Sequence, residues 1–315
     1  MLAIGQHAQV GGGKHHLSSR KFCQNQRTRF FLRGAAACRG ELPSGRDSML
    51  RFLAAAAAFA ASIAHGQVVV RDLSSRPDVT VRIAYARAAN PVASAVLFQG
   101  GGGNVGIYPN GTMNWNNQFL SGAGALDRFT ANDISVAVVD APSDRRDLNG
   151  GFRASPEHAE DAAAVIAFLR TESSLPVWAI GTSNGSLSAA NAAVRLGPRG
   201  PNGIVLTSAT TSHAPNPSLT HLVTDASLAE IGVPVLWVHH RIDECKHTPF
   251  DAIPPLVASM KKAARADLIP VEGGDNSPRG NRSTPCSSGY HQFQGIEAEV
   301  TKRIADWIKK EQGAK

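Results

Sequence analysis

The residues with the clearest chemical potential are Gly181-Thr182-Ser183-Asn184-Gly185, a serine with a glycine two positions away on either side. A serine hydroxyl is a weak nucleophile, so one that attacks a carbonyl must stand clear of the backbone and beside a base. A strand that turns sharply into a helix lifts it there, and the strand and helix can approach only if the flanking residues are small. Gly181 and Gly185 meet that need, and Ser186, Ser188, Ala189, Ala190, Ala192 and Ala193 keep the following helix slim. Gly-x-Ser-x-Gly also arises by chance in ordinary glycine-rich turns. Its weight here comes from its place between the apolar run Pro176–Gly181 (PVWAIG) and a run of small residues.

The rest of the chain predicts the scaffold. Strand-length apolar runs recur at 67–72, 79–84, 94–99, 135–140, 176–181, 203–208, 234–239 and 267–271. From the third onward both faces are apolar, as in buried parallel strands. Helical patterns fall between them at 156–170, 186–196, 252–264 and 295–310. The first has Ser155 as its expected N-cap, with Glu157 and Glu160 suited to the helix dipole. The last places Ile296, Val300, Ile304, Trp307 and Ile308 on one stripe. This alternation predicts an α/β fold, a mostly parallel central sheet with helices on both faces. The glycines after the third run, Gln99-Gly100-Gly101-Gly102-Gly103-Asn104, do not read as a dinucleotide site. The sequence continues into Tyr108-Pro109-Asn110 and opens no helix.

In element order and in these motifs, residues 67–315 resemble the α/β-hydrolase superfamily; no subfamily is identified. The resemblance implies the order nucleophile, acid, base along the chain. Ser183 is then the nucleophile, Asp243 the acid after the 234–239 run, and His291 in Ser288-Gly289-Tyr290-His291-Gln292-Phe293 the base. Glu244 is the runner-up acid. Asp140 precedes the nucleophile and reads as an acid that orders a loop. His158, His213 and His221 read as cap or surface residues. An oxyanion needs two donors, implied to be the Asn184 backbone N–H and a glycine of the Gly100–Gly103 loop, with Gly101 and Gly102 preferred. Gln99 stands where the family's His-Gly-Gly-Gly type of loop has histidine, which leaves the donating glycine open.

Residues 49–66 resemble a secretory signal peptide: Arg51, an apolar alanine-rich stretch, and small residues before Gln67 or, alternatively, at Ser62-Ile63-Ala64. Residues 1–48 then read as an upstream over-call from a true start at Met49, or as a disordered basic extension. Of the 32 Lys and Arg and 25 Asp and Glu, nine and two precede residue 67, leaving 23 of each. The net charge of +7 therefore gives no argument for a nucleic-acid partner, and no membrane anchor is expected after cleavage. Cys245 and Cys286, the cysteines beyond that point, are expected to pair as one disulfide, with two free thiols as the alternative.

The expected protein is a periplasmic or secreted serine hydrolase, esterase-like, working through an acyl-enzyme without a cofactor. An acyltransferase using the same acyl-enzyme and a non-catalytic binding module on the same fold remain open. His239, His240, Asp243, Cys245 and His247 could ligate a metal by type, but they lack the paired spacing of a structural zinc site. The segment between 208 and 234 is short for a cap domain, and the loop 108–118, with Tyr108 and Trp115, either lines the entrance or lies on the surface.

Overall fold

The computed structural model describes residues 67–213, 221–279 and 285–313; the expectations for residues 1–66 lie outside them. Every strand-length apolar run of the sequence forms a strand. These are β1 (Val69–Arg76), β2 (Val79–Ala86), β3 (Ala93–Phe98), β4 (Ile134–Val139), β5 (Val177–Thr182), β6 (Gly203–Thr207), β7 (Val235–His240) and β8 (Ala266–Val271). They form one sheet in the order β1-β2-β4-β3-β5-β6-β7-β8. The β1–β2 and β2–β4 pairs are antiparallel, and all pairs from β4 through β8 are parallel.

Side chains alternate between two cores, one on each face, as the two-residue repeat of a strand requires. Val96, Val177 and Ala179 enter one core; Ala95, Leu97, Trp178 and Ile180 enter the other. Helices α3 (Pro156–Glu172) and α4 (Gly185–Arg195) cover the first face, joined by Ile253 at the start of α5 (Ile253–Ser259). Helices α1 (Ala123–Thr130) and α6 (Glu297–Gly313) cover the second. Ser155 caps α3 as expected, its Oγ accepting from the His158 N–H at 3.2 Å. A short turn of helix, α2 (Gly150–Arg153), precedes α3 and is capped by the Asn149 side chain.

Three sequence expectations change. Helix α1 was not anticipated: it is eight residues long, enters from Gly122 at φ 84°, and carries its apolar signal on Ala125, Leu126 and Phe129 alone. Helix α5 ends at Ser259, five residues before the expected Ala264, because Met260 leaves helical backbone at ψ 62°. There the Met260 sulfur accepts from the indole N–H of Trp237. His158 lies in the core rather than at the surface. Its ring packs against Phe98 and Phe152, with centroids 5.8 and 5.4 Å away, and neither ring nitrogen has a partner among the described residues.

His158 and His239 are both neutral core residues. Burial is the main force holding each imidazole down to about 3, with the Arg153 charge adding to it at His158. In the unfolded chain each takes up a proton near the ordinary histidine value of about 6.5. Between those two values the unfolded state binds more protons, so stability falls as pH falls. From pH 7 to pH 5 each site should cost roughly 2 kcal/mol. His158→Phe should therefore lose fewer degrees of Tm than the unsubstituted protein over that interval, as read by thermal melts at both pH values.

Candidate active site

Strand order fixes where a site can form. The chain leaves β3 for β4 on one side and later returns to place β5 on the other. The loops leaving β3 and β5 therefore part around a crevice at the carboxyl ends of the strands, where open α/β sheets hold ligands. The loop after β3 holds the glycines, and the loop after β5 holds Ser183.

The turn at Ser183 is as tight as its sequence predicts. Ser183 has φ 53°, a left-handed conformation uncommon for a side-chain-bearing residue. A Cβ at Gly181 would collide with the Gly185 carbonyl, and one at Gly185 with the Phe98 carbonyl. Both glycines are thus demanded by backbone-to-backbone approach. One at Gly100 would come 2.7 Å from the Ser183 Cβ, so the glycine loop lies directly against the serine. The Ser183 N–H donates to Thr207 O at 3.0 Å, and the Ser186 hydroxyl donates to Ser183 O at 2.6 Å, clamping the turn.

Asp243 and His291, 48 residues apart, meet with 2.9 Å between Oδ2 and Nδ1, and both side chains are wholly buried. Asp243 also accepts from the Cys245 N–H at 2.9 Å and the Thr248 hydroxyl at 2.7 Å. Burial alone would raise its carboxyl. The His291 charge and the hydrogen bonds from His291, Cys245 and Thr248 outweigh burial and hold it below the usual aspartate range. Glu244, the alternative acid, is exposed. His291 is fixed from behind: Ser208 Oγ donates to its backbone O at 3.0 Å, and Tyr290 stacks on His240 at 4.2 Å. His291 Nε2 is buried and has no hydrogen-bond partner among the described residues, Ser183 included. Such contacts are often open without a substrate and close in the complex. Cys245 and Cys286 form the expected disulfide and tie the acid loop to the segment leading to His291.

A cavity of about 260 Å³ opens beside Ser183, walled by Gln99, Gly101, Trp115, Gln118 and Gln292, with Gly100, Cys286 and Ser287 completing it. Gly102 is not part of that wall. Its absence there favours Gly101 over Gly102 as the second donor; the Gly102 carbonyl accepts from the Leu148 N–H at 2.6 Å. Among the described residues, neither the Asn184 nor the Gly101 N–H is taken by another backbone group. The Asn184 side chain bridges the walls, accepting from Thr210 and reaching Gly101 O. Of the 108–118 loop, Trp115 and Gln118 line the cavity. Tyr108 is exposed and donates to Asn114.

Arg153 is the site residue that sequence reasoning missed. Fully buried on α2, it donates to Leu148 O, Ser188 Oγ, Gln99 O and Gly101 O at 2.7–3.2 Å. It holds the glycine loop from underneath, and Gly103 must lack a Cβ to admit it. Burial pushes the guanidinium down to about 9, so it remains charged at neutral pH. An arginine in a loop-like stretch gives no sequence signal of burial. Thr248 and Ser208, which act through backbone and carboxylate, are equally silent. Asp140 does order a loop as expected, accepting from the Gly106, Ile107 and Ala141 N–H groups.

The five metal-capable residues do not converge. Cys245 is in the disulfide and Asp243 is on His291. His239 Nε2 accepts from the Ala209 N–H, His240 contacts Gly273 O at 2.8 Å, and His247 contacts Ser212 O at 3.3 Å. No group of three or more potential ligands forms among the described residues.

No family model matches the chain, and no curated protein matches it in sequence. Solved structures do match in shape. An esterase from Pyrococcus furiosus aligns with TM-score 0.54 and 11% identity, over 78% of this chain and 91% of its own. A dienelactone hydrolase from Anabaena variabilis aligns with TM-score 0.53 and 12% identity, over 78% and 98%. A member of a/b serine hydrolase without lid from Xanthomonas campestris aligns with TM-score 0.50 and 13% identity, over 76% and 95%. At such identities the likeness is one of architecture, and the chain has the α/β-hydrolase fold.

The disulfide closes a loop of 41 residues, which in the chain-entropy picture contributes roughly 4 kcal/mol. The Cys245→Ala/Cys286→Ala double variant should unfold at lower denaturant with a loss of about 2–4 kcal/mol. Equilibrium urea titration of both proteins measures it.

Proposed function

We propose that this protein is an esterase-type serine hydrolase acting through Ser183, His291 and Asp243. The observation that carries the reading is the wholly buried Asp243–His291 pair, its Nε2 unpartnered among the described residues, at the same carboxyl end of the sheet as a serine held at φ 53°. Asp243 accepts a hydrogen bond from the Nδ1–H of His291 and so keeps that proton on Nδ1, which leaves the lone pair on Nε2. His291 takes the Ser183 proton as Oγ bonds to the ester carbonyl carbon. The carbonyl oxygen, now negative, is met by the Asn184 and Gly101 N–H groups. His291 then protonates the departing alcohol as the carbon–oxygen ester bond breaks. Water, deprotonated by His291, attacks the acyl-serine and releases the acid, and the proton returns to Ser183. No step calls for a cofactor.

Arg153 supports this reading as a positioning residue, since its bonds to the Gln99 and Gly101 carbonyls fix the peptide planes on either side of the one that carries the Gly101 N–H. Export fits it too, because a disulfide persists in an oxidising compartment. Among the described residues no helix is long and apolar enough to cross a membrane.

Hydrolysis of methyl and 4-nitrophenyl esters of short acids tests the proposal. Ser183→Ala should abolish turnover, and Asp243→Asn should lower kcat about 10⁴-fold by presenting the wrong imidazole tautomer. Equal rates in the unsubstituted protein and Ser183→Ala would end the reading. Arg153→Met should lower kcat about 10²-fold, with KM changing far less, because donor placement matters in the transition state. Circular dichroism of each variant checks that the fold persists.

A further inference from the structure

The cavity beside Ser183 carries an unsatisfied hydrogen-bonding group. Gln99 is 3% exposed, lines the cavity, and its Oε1 is buried with no hydrogen-bond partner among the described residues. A buried amide oxygen left unpaired gives up its hydration with nothing in return, so it is expected where a ligand completes it. The Gln99 backbone is held in place, its carbonyl accepting from Arg153 at 3.0 Å. The root of the side chain is therefore fixed relative to the Gly100–Gly101 loop and the serine.

Three further features define what completes it. The cavity's described lining contains no ionisable side chain, so a charged group would enter without a counter-charge and lose its hydration. The volume of about 260 Å³ is below the usual range of drug-sized ligand pockets, about 300–1,000 Å³. Finally, His291 is not part of the wall. The alcohol leaves towards His291, which must protonate it, so the cavity lies on the acyl side of the reacting carbonyl.

On the reading proposed above, we infer that Gln99 selects a small, uncharged acyl group bearing a hydroxyl, which hydrogen-bonds its side-chain amide. A hydroxyl both donates and accepts, so it satisfies whichever end of the amide faces the cavity. A methyl group in its place would leave the amide unpaired and be rejected for that reason. Trp115, packed over Gly101, supplies the flat apolar wall against which the carbon skeleton of the acyl group lies.

The test is kcat/KM for two isosteric pairs: methyl lactate against methyl isobutyrate, and methyl 3-hydroxypropanoate against methyl butyrate. At least one hydroxy ester should be preferred tenfold or more over its methyl counterpart. The preference should shrink to under threefold in Gln99→Met. Cleavage of 4-nitrophenyl dodecanoate should be less than a hundredth as efficient as cleavage of the corresponding butyrate. Turnover of both pairs without preference in the unsubstituted protein overturns the inference and leaves the hydrolase reading intact, and that comparison needs no variant. A preference unchanged in folded Gln99→Met overturns the role of Gln99, and comparable rates for the two nitrophenyl esters overturn the size limit. No turnover of any ester overturns both the inference and the hydrolase reading.

Discussion

The constraint on which the site depends is the approach of β5, α4 and β3 around Ser183. Gly181 has no room for a Cβ against Gly185, and Gly185 has none against Phe98. The turn between them forces Ser183 into a left-handed backbone. That conformation is unfavourable for a serine taken alone, and it persists because three elements packed at van der Waals distance leave no alternative. The remainder of the site is arranged around this point. The glycine loop must run beneath the serine, so Gly100 too has no space for a side chain, and the loop's carbonyls need a donor from below.

Arg153 answers that last need at some electrostatic cost. A guanidinium with four neutral acceptors and no direct carboxylate partner is an expensive group to bury. Its five donors are nonetheless the geometry that can hold carbonyls from successive residues at once. On the opposite side, two loops that follow β7 and β8 bring Asp243 to His291. Beyond the 3-10 turn Gly289–Gln292 that carries His291, side-chain contacts hold these two segments. The disulfide, the Thr248 hydroxyl, the Ser208 hydroxyl and the His240–Tyr290 stack supply the rigidity. Preorganisation here is thus distributed over residues that would not themselves touch a substrate.

Legibility in the sequence followed the kind of interaction involved. Buried parallel strands announce themselves through continuous apolar runs, so all eight were readable. Gly181 and Gly185 were readable because steric exclusion allows one residue type. The chain order of the superfamily this protein resembles singled out Asp243 and His291, which do meet, and compartment logic singled out the pairing of Cys245 with Cys286. Arg153, Thr248 and Ser208 were not readable, since their roles are set by what folds over them. His158 was misjudged for the same reason: its place in the first turn of α3 suggested a cap, while Phe98 and Phe152 from other elements enclose it. Helix α1 failed for a local reason, its eight residues being too few and too small to display a period.

Everything in this mechanism turns on His291 making Ser183 nucleophilic. Covalent trapping of the native protein with a fluorophosphonate, followed by peptide mass mapping, tests it most directly. The mechanism requires one adduct per chain, located on Ser183, whose rate of formation falls at least a hundredfold in folded His291→Ala. An adduct on another residue, no adduct, or labelling of Ser183 at an undiminished rate without His291 would contradict it.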